Sequence, residues 1–370
     1  MRERITRFFA SSLGIIIAGA LIGIGGVALQ ALGNPANMGI CAVCFQRDIA
    51  GALGLHRASA VQYIRPEIIG FVLGALLTAF LFREFKPRGG SAPLVRFVLG
   101  AFAVIGALAF LGCPWRAMFR LAGGDLNALT GVAGLALGIA GGVFFLARGY
   151  SLGRAQRMPA AGGLVIPLAM AGLLLLLVLR PRFGEGGPVF FSEKGPGSMH
   201  APLLVSLGVG LLVGFLAQRT RFCTMGAVRD VFLMRDTHLL RGVLALLVAA
   251  FAANLALGKI DVGFAGQPIA HAGHVWNFLG MALAGLAFAL GGGCPGRQLF
   301  LSGEGDGDAG VFVLGMVTGA AFSHNFALAG KADAVAGGAL QAGGLAAPGQ
   351  IAVVLGLVAC VLIGACMREK

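Results

Sequence analysis

The chain has 370 residues, of which 58% are hydrophobic and 12% are charged, with a mean hydropathy of +0.89 and a net charge of +13. Soluble domains carry about 25% charged residues, so this composition argues against a soluble enzyme, and its hydrophobicity excludes intrinsic disorder. The uncharged runs 162–179 and 203–217 can cross most of a ~30 Å hydrocarbon core. A transmembrane β-barrel would instead alternate apolar and polar residues. We therefore predict an all-α, polytopic membrane protein.

About ten apolar segments are predicted to span the bilayer, and the first, which follows a basic N-terminus, is predicted to stay uncleaved. In chain order they are 8–32, 66–82, 94–111, 127–147, 162–179, 201–218, 240–257, 274–291, 308–329 and 349–367. The 62 glycines allow membrane helices to approach one another closely. These segments predict a multi-pass protein of the inner or plasma membrane.

Basic residues predict the orientation, because Lys and Arg concentrate in cytoplasmic loops. With the N-terminus inside, the inside segments receive twelve of them: Arg2, Arg4, Arg7, Arg83, Lys86, Arg88, Arg96, Arg148, Arg154, Arg157, Arg368 and Lys370. The plain outside loops receive five: Arg180, Arg182, Lys194, Lys259 and Lys331. This bias predicts that both termini are cytoplasmic, and it accounts for the positive charge without a nucleic acid partner.

The two halves of the chain repeat one another at an offset of 181 or 182 residues. The matched pairs are Cys41 with Cys223, Arg47 with Arg229, Asp48 with Asp230, His56 with His238, Cys113 with Cys294, and Arg116 with Arg297. Helix amphipathicity alone would not align these residue types at nearly one offset. We predict a first repeat over 1–150, a linker with one inverting span over 151–200, a second repeat over 201–330, and a C-terminal span over 331–370.

A single span, 162–179, lies between the halves, so the second repeat is predicted to be inverted in the membrane. The segments that begin at Cys41 and Cys113 would then enter from outside, and those that begin at Cys223 and Cys294 from inside. Inverted repeats whose broken helices meet near the midplane are typical of transporters. We therefore expect re-entrant, Cys-bearing half-helices that converge at the centre.

The sharpest local pattern is a Cys followed by Pro and, three residues after the Cys, by Arg; it occurs at Cys113 and at Cys294. Proline is favoured at the first position of a helix, so each Cys is predicted to be the N-cap of a short helix, over 114–121 and 295–301. Helix N-termini attract anions. One Cys-Pro could be only a packing residue and a helix break, but the duplication favours a functional role.

The first segment of each repeat has the pattern Cys-x5-Arg-Asp-x7-His. Arg and Asp within a membrane either contact a solute or tie the segment to its neighbours, and both interpretations stay open. The histidines could carry protons or form hydrogen bonds at helix ends. The residues are Cys41, Arg47, Asp48 and His56 in the first repeat, and Cys223, Arg229, Asp230 and His238 in the second.

Cys41 and Cys44 form a Cys-x-x-Cys pair, a spacing found in dithiol redox sites and in zinc sites. No second pair completes a zinc set, and Cys44 corresponds to Gly226 in the other repeat. We therefore predict no metal site and no cofactor, and we rank Cys41 above Cys44. Cys360 and Cys366 have no repeat partners and are predicted to be packing residues.

At these residues the chain resembles the YeeE/YedE sulfur-transport family, and most closely its YedE-type selenium transporters. The segments that carry the resemblance are 38–56, 110–116, 221–226 and 291–298. The resemblance implies an hourglass shape, with loops buried toward the centre from both faces. It also implies that central cysteines pass a sulfur compound by S–H···S contacts. Here these would be Cys41, Cys113 and Cys294, with Cys223 in the remaining repeat position.

Two functions follow from these patterns. The first is a transporter, not an enzyme, that moves a small sulfur- or selenium-containing solute such as thiosulfate, because thiols offer soft, polarizable contacts. Its expected partners are the solute, the lipid bilayer and a cytoplasmic sulfur or selenium carrier protein. The alternative is a membrane thiol-disulfide oxidoreductase that uses Cys41 and Cys44. Such an enzyme should have a second Cys pair on an outside loop, and 180–200 contains no Cys.

Overall fold

The computed structural model describes residues 2–180, 189–336 and 339–368, and it is almost entirely helical. The helices are α1 (Arg2–Phe9), α2 (Ser12–Ala31), α3 (Ala42–Ala52), α4 (Pro66–Leu81), α5 (Pro93–Ala109), α6 (Pro114–Ala122), α7 (Asn127–Ala147), α8 (Ala160–Leu179), α9 (Leu203–Thr220), α10 (Thr224–Met234), α11 (His238–Ala256), α12 (His274–Gly291), α13 (Pro295–Gly303), α14 (Gly307–Asn325) and α15 (Ala347–Cys366). Two short two-stranded antiparallel sheets pair β1 (Arg88–Gly89) with β2 (Gln156–Arg157), and β3 (Ala334–Ala336) with β4 (Ala339–Gln341).

Each predicted span corresponds to a helix whose ends differ from the prediction by a few residues. Within the described residues, eight helical stretches are long and apolar enough to cross a membrane. Helix α4, with 16 residues, is a shorter apolar helix, and α14 is not among the eight. The all-α, multi-pass class is therefore confirmed, whereas the number of ten spans stays a prediction.

Four short helices, α3, α6, α10 and α13, interrupt the series of long ones. Sharp turns separate three of them from the long helix before. Leu111 has a φ of 64° before α6, Arg221 has 57° before α10, and Gly292 has 84° before α13. A side chain with a Cβ rarely adopts this left-handed conformation, so Leu111 and Arg221 are strained. The turns break the apolar stretches at the points where the cysteines lie.

The long helices pack reciprocally between the two halves. Helix α2 packs on α11 and α4 on α9, while α5 packs on α14 and α7 on α12. A Cβ at Gly134 would clash with the carbonyl of Phe278, and one at Gly315 would clash with the carbonyl of Phe97. The same offset of 181 relates both members of this contact. Reciprocal packing of this kind is what two structurally related repeats produce, whereas their inversion in the membrane and the domain boundaries stay predictions.

Helices α4 and α9 define two opposite faces of the molecule. At one end, Asn34 accepts a hydrogen bond from the Ala201 amide (2.9 Å) and donates one to Glu67 (2.8 Å). At the other end, Arg219 donates to Glu84 (2.7 Å). The 18 residues of α9 separate these ends by about 27 Å. We call them the Asn34 face and the Glu84 face; the predicted orientation places the Asn34 face outside.

The described end of the predicted outside loop 180–200 packs onto the Asn34 face. The amides of Phe190, Ser192 and Gly197 each donate a 2.8 Å hydrogen bond to a carbonyl of the segment 52–62. Residues 181–188 of this loop, with Arg182, lie outside the described residues. Segment 189–200 therefore covers the carboxyl end of α3 and the connection that follows it.

Candidate functional site

All four repeat-matched cysteines are N-cap residues of the short helices. Cys41 caps α3, Cys113 caps α6, Cys223 caps α10 and Cys294 caps α13. The Sγ atom of Cys41 accepts a hydrogen bond from the Cys44 amide (3.3 Å), and that of Cys223 accepts one from the Gly226 amide (3.2 Å). The Cys-Pro pattern predicted this position for Cys113 and Cys294 only. Each helix N-terminus contributes partial positive charge beside a thiol.

The four thiols form two pairs, one in each half of the chain. The side chains of Cys41 and Cys113 are neighbours, and so are those of Cys223 and Cys294. All four residues are buried, and Cys223, at 6% exposure, is the most accessible of them. The pairs lie together because α10 contacts α6 and α13 contacts α3. The Cys-bearing helices of the two halves are therefore in contact, whereas their convergence at the membrane midplane stays a prediction.

Arg116 lies beside the first thiol pair and is completely buried. Its guanidinium donates to Cys44 Sγ (3.4 Å), to the carbonyls of Asn37 (3.3 Å) and Ile269 (2.9 Å), and to the carbonyl of Leu111. No carboxylate of the described residues forms an ion pair with it. Burying a charged guanidinium that contacts only neutral groups costs free energy. The structure therefore leaves the positive charge of Arg116 without a compensating negative charge among the described residues.

Arg297, the repeat counterpart of Arg116, lies in an open environment. It pairs with Glu304 (3.3 Å), which also binds Arg221 (2.9 Å). Arg297 lines a cavity of about 400 Å³, together with Cys223 and Arg229. We call it the Cys223 cavity. Because Arg221 at its rim is 49% exposed and bonds to Glu84, the cavity opens on the Glu84 face.

A second cavity, of about 320 Å³, lies on the Asn34 face and is lined by Asn34, Asn37, Lys259 and Gln267, among others. We call it the Asn37 cavity. The backbone carbonyl of Asn37 accepts the hydrogen bond from Arg116. The Arg116 guanidinium is therefore hydrogen-bonded to a residue that lines this cavity.

Arg47 and Asp48 form a buried ion pair (2.7 Å). Asp48 also pairs with Arg65 (2.7 Å), which donates to the carbonyls of Pro196 and Met199. These contacts tie α3 to segment 189–200. Arg65 was not predicted as a site residue. Its counterpart in the other repeat, position 247, is Leu, so the comparison of the two repeats did not single it out.

The matched pair of the second repeat, Arg229 and Asp230, is placed differently. Its ion pair is 2.8 Å long, but the Arg229 side chain is 32% exposed and lines the Cys223 cavity. The two Arg-Asp motifs therefore share their sequence but not their surroundings. The contacts of the first favour a structural tie, and those of the second favour access to a solute.

The two matched histidines do not lie in equivalent places. His56 Nε2 is 3.0 Å from the Arg47 carbonyl, and the ring lies 4.7 Å from that of His324. Burial lowers the pKa of His56, which favours the neutral ring. His238 is the first residue of α11, and its amide donates to Asp236 (2.9 Å). The contacts of the His56 ring favour hydrogen bonding near a helix end over proton transfer, whereas the role of the His238 ring stays a prediction.

The remaining cysteines differ from one another. Cys360 is buried, as predicted for a packing residue, but Cys366 is exposed, so the same prediction is wrong for Cys366. It lies in the last turn of α15. All seven cysteines are free, and within the described residues no group of three His, Cys, Asp or Glu could hold a metal ion.

Fold and site together define a multi-pass helical membrane protein with buried thiols at converging helix N-termini. Residues 219–370 match the family model described as sulphur transport. The chain is 32% identical over 111 residues to the thiosulfate transporter TsuA of Escherichia coli (strain K12), which is 29% of this chain and 30% of that relative. It is 34% identical over 97 residues to the thiosulfate transporter TsuA of Spirochaeta thermophila, which is 26% of this chain and 29% of the relative.

The predicted resemblance to the YeeE/YedE sulfur-transport family is confirmed by these matches. The chain spans about 30% of the length of the curated relatives it matches. The family model covers the helices α10 and α13, and with them Cys223 and Cys294.

Proposed function

We propose that this protein transports a small sulfur-containing anion such as thiosulfate through the centre of the molecule. One observation carries the proposal: Arg116 is fully buried beside Cys44, with no ion-pair partner among the described residues. Leaving a charge unpaired in a dry site costs about 3–5 kcal/mol. An anion at the N-termini of α3 and α6 would compensate both the guanidinium and the helix dipoles.

The thiols favour a sulfur anion over a hard oxyanion. A thiol is a weak donor and a polarizable contact, whereas sulfate is better served by hydroxyl and backbone donors. Both thiol pairs lie where such a solute would meet helix N-termini. The two curated relatives, which carry the name thiosulfate transporter, support the same solute class.

A chain of contacts supports a path from one face to the other. It begins at the Asn37 cavity, passes Arg116 and the pair Cys41–Cys113, and ends at the pair Cys294–Cys223 and the Cys223 cavity. In the Cys223 cavity, Glu304 and Asp230 partly neutralise the arginines. Partial neutralisation weakens the attraction for an anion, which helps the solute to leave.

The alternative oxidoreductase gains no support. Cys41 and Cys44 are both fully buried, so the disulfide of a partner protein could not reach them. No contact of the site distinguishes sulfur from selenium, and the selenium assignment and the cytoplasmic carrier protein stay predictions.

The test is uptake of [³⁵S]thiosulfate by proteoliposomes that contain the purified protein, with protein-free vesicles as the control. We expect saturable uptake that excess unlabelled thiosulfate abolishes and that equimolar sulfate reduces little. Uptake no faster than in protein-free vesicles would contradict the proposal. Selenite uptake, measured in parallel, decides the selenium prediction: faster selenite than thiosulfate uptake would favour it.

A further inference from the structure

Four aromatic side chains pack together among the segments that carry the two thiol pairs. They come from α4, α6, α13 and the turn before α10, and they are Phe71, Trp115, Phe300 and Phe222. The Trp115 ring centroid is 5.5 Å from that of Phe222 and 5.8 Å from that of Phe71, and Phe71 is 5.3 Å from Phe300. All four are buried. Because Trp115 follows Cys113 by two residues and Phe222 directly precedes Cys223, this aromatic cluster connects the segments of the two thiol pairs.

Trp115 connects the two Cys-Pro helices. It lies two residues after Cys113, and its ring edge faces the first turn of α13. The atoms Cζ2 and Cε2 lie 3.4 and 3.6 Å from the place where a Cβ of Gly296 would stand. Gly296 is the repeat counterpart of Trp115, and its lack of a side chain leaves room for the indole.

The indole nitrogen has no hydrogen-bond partner. Trp115 is 2% exposed, and its Nε1 is buried without an acceptor among the described residues. Cε2, the atom bonded to Nε1, belongs to the edge that approaches α13. A buried Trp usually finds a partner for its N–H, since an unmade hydrogen bond costs free energy. The indole N–H of Trp115 is therefore an unused hydrogen-bond donor near the N-termini of α6 and α13, surrounded by apolar side chains.

We infer that Trp115 forms a central binding position for the solute, between the two thiol pairs. The indole N–H donates a hydrogen bond to an oxygen of a small sulfur oxyanion, and the phenylalanines exclude water around it. This inference takes the solute class from the proposed function. It adds a specificity element, because a sulfur anion without oxygen, such as hydrosulfide, offers the indole N–H a poorer acceptor.

The first test reads binding without transport. The chain has two tryptophans, so Trp276→Phe leaves Trp115 as the single indole. Trp276 lies in the first turn of α12 and is half-buried. Titration of the purified Trp276→Phe protein with sodium thiosulfate should give a saturable change in indole fluorescence, and sodium chloride at equal ionic strength should not. No saturable change with thiosulfate would overturn the inference.

The second test removes only the donor. Trp115→Phe keeps an aromatic ring and loses the N–H, so uptake at limiting thiosulfate should fall by about tenfold at matched protein abundance. Trp276→Phe, as the matched control, should transport like the unmodified protein. Undiminished uptake by Trp115→Phe would overturn the inference. If the unmodified protein takes up no thiosulfate, the proposed function fails, whereas a saturable fluorescence change would still support the binding position.

Discussion

Arg116 and Arg297 each follow an N-cap cysteine by three residues, but their guanidinium groups have opposite surroundings. The guanidinium of Arg116 donates hydrogen bonds to three backbone carbonyls and to the sulfur of Cys44. Arg297 lines the Cys223 cavity and pairs with Glu304. The site is therefore closed toward the Asn34 face and open toward the Glu84 face. On the proposed path, a solute that arrives from the Asn34 face would have to replace at least one of these carbonyls at Arg116.

The two Arg-Asp motifs should respond differently to truncation. Arg47→Ala removes a partner from the buried Arg47–Asp48–Arg65 cluster, which should cost about 3–5 kcal/mol and lower the amount of folded protein. Arg229→Ala should keep normal abundance, because the Arg229 side chain is 32% exposed, and should mainly slow uptake. Membrane abundance by immunoblot and uptake per molecule separate the two effects. Equal loss of folded protein in both variants would contradict the assignment.

Serine substitutions should map the thiol path. Cys41→Ser, Cys113→Ser, Cys223→Ser and Cys294→Ser each keep a donor of similar size but lose the soft sulfur contact, so each should lower thiosulfate uptake at least several-fold. Cys360→Ser is the matched control, since Cys360 is buried in α15 and has no thiol neighbour in either pair. Normal uptake by both Cys113→Ser and Cys294→Ser would make the cysteines packing residues.

Protonation of His271 should destabilise the protein. Its Nε2 donates to the Ala109 carbonyl (2.8 Å) while Nδ1 accepts from the Gly273 amide (3.1 Å), which requires the neutral ring. Burial lowers the pKa of His271 below the usual 6.5. The unfolded chain therefore takes up the proton first, and this stabilisation is present above pH 6.5 and lost as the pH falls toward the folded-state pKa.

The thermal unfolding midpoint in detergent checks this prediction. It should fall between pH 7.5 and pH 5.5, and the fall should be smaller for His271→Gln. The fall should not vanish, because burial also lowers the pKa values of His56 and His200. An unchanged pH dependence in His271→Gln would contradict the prediction.

The orientation predicted from basic residues can be checked by reporter fusions. A fusion after Lys194 should report the outside and one at the end of the chain, after Lys370, the inside. The expectation follows from the excess of Lys and Arg on the predicted inside segments. Both reporters in one compartment would contradict the predicted inversion of the second repeat.

The helices and the cysteine positions were largely predictable from sequence, because apolar length and Cys-Pro are local signals. The 181-residue offset also identified Gly134 and Gly315 as a pair, which occupy matching close contacts. The asymmetry between Arg116 and Arg297 was not predictable. It depends on Glu304 and on the carbonyls of distant loops, whereas the sequence repeat predicts the same surroundings for both arginines. Trp115 was missed for a similar reason: its counterpart is a glycine, so a search for matched residues passes over it.

The most direct test of the central claim is thiosulfate uptake by Arg116→Gln and Arg116→Lys proteoliposomes at matched protein amount. We expect Arg116→Gln to lose at least about 90% of uptake, since the buried cation that attracts the anion is gone, and Arg116→Lys to retain part of it. Arg120→Gln is the control on the same helix: it breaks the buried pair with Asp125 (2.6 Å) and should reduce folded protein instead. Full uptake by folded Arg116→Gln would contradict the claim that this buried charge serves an anion.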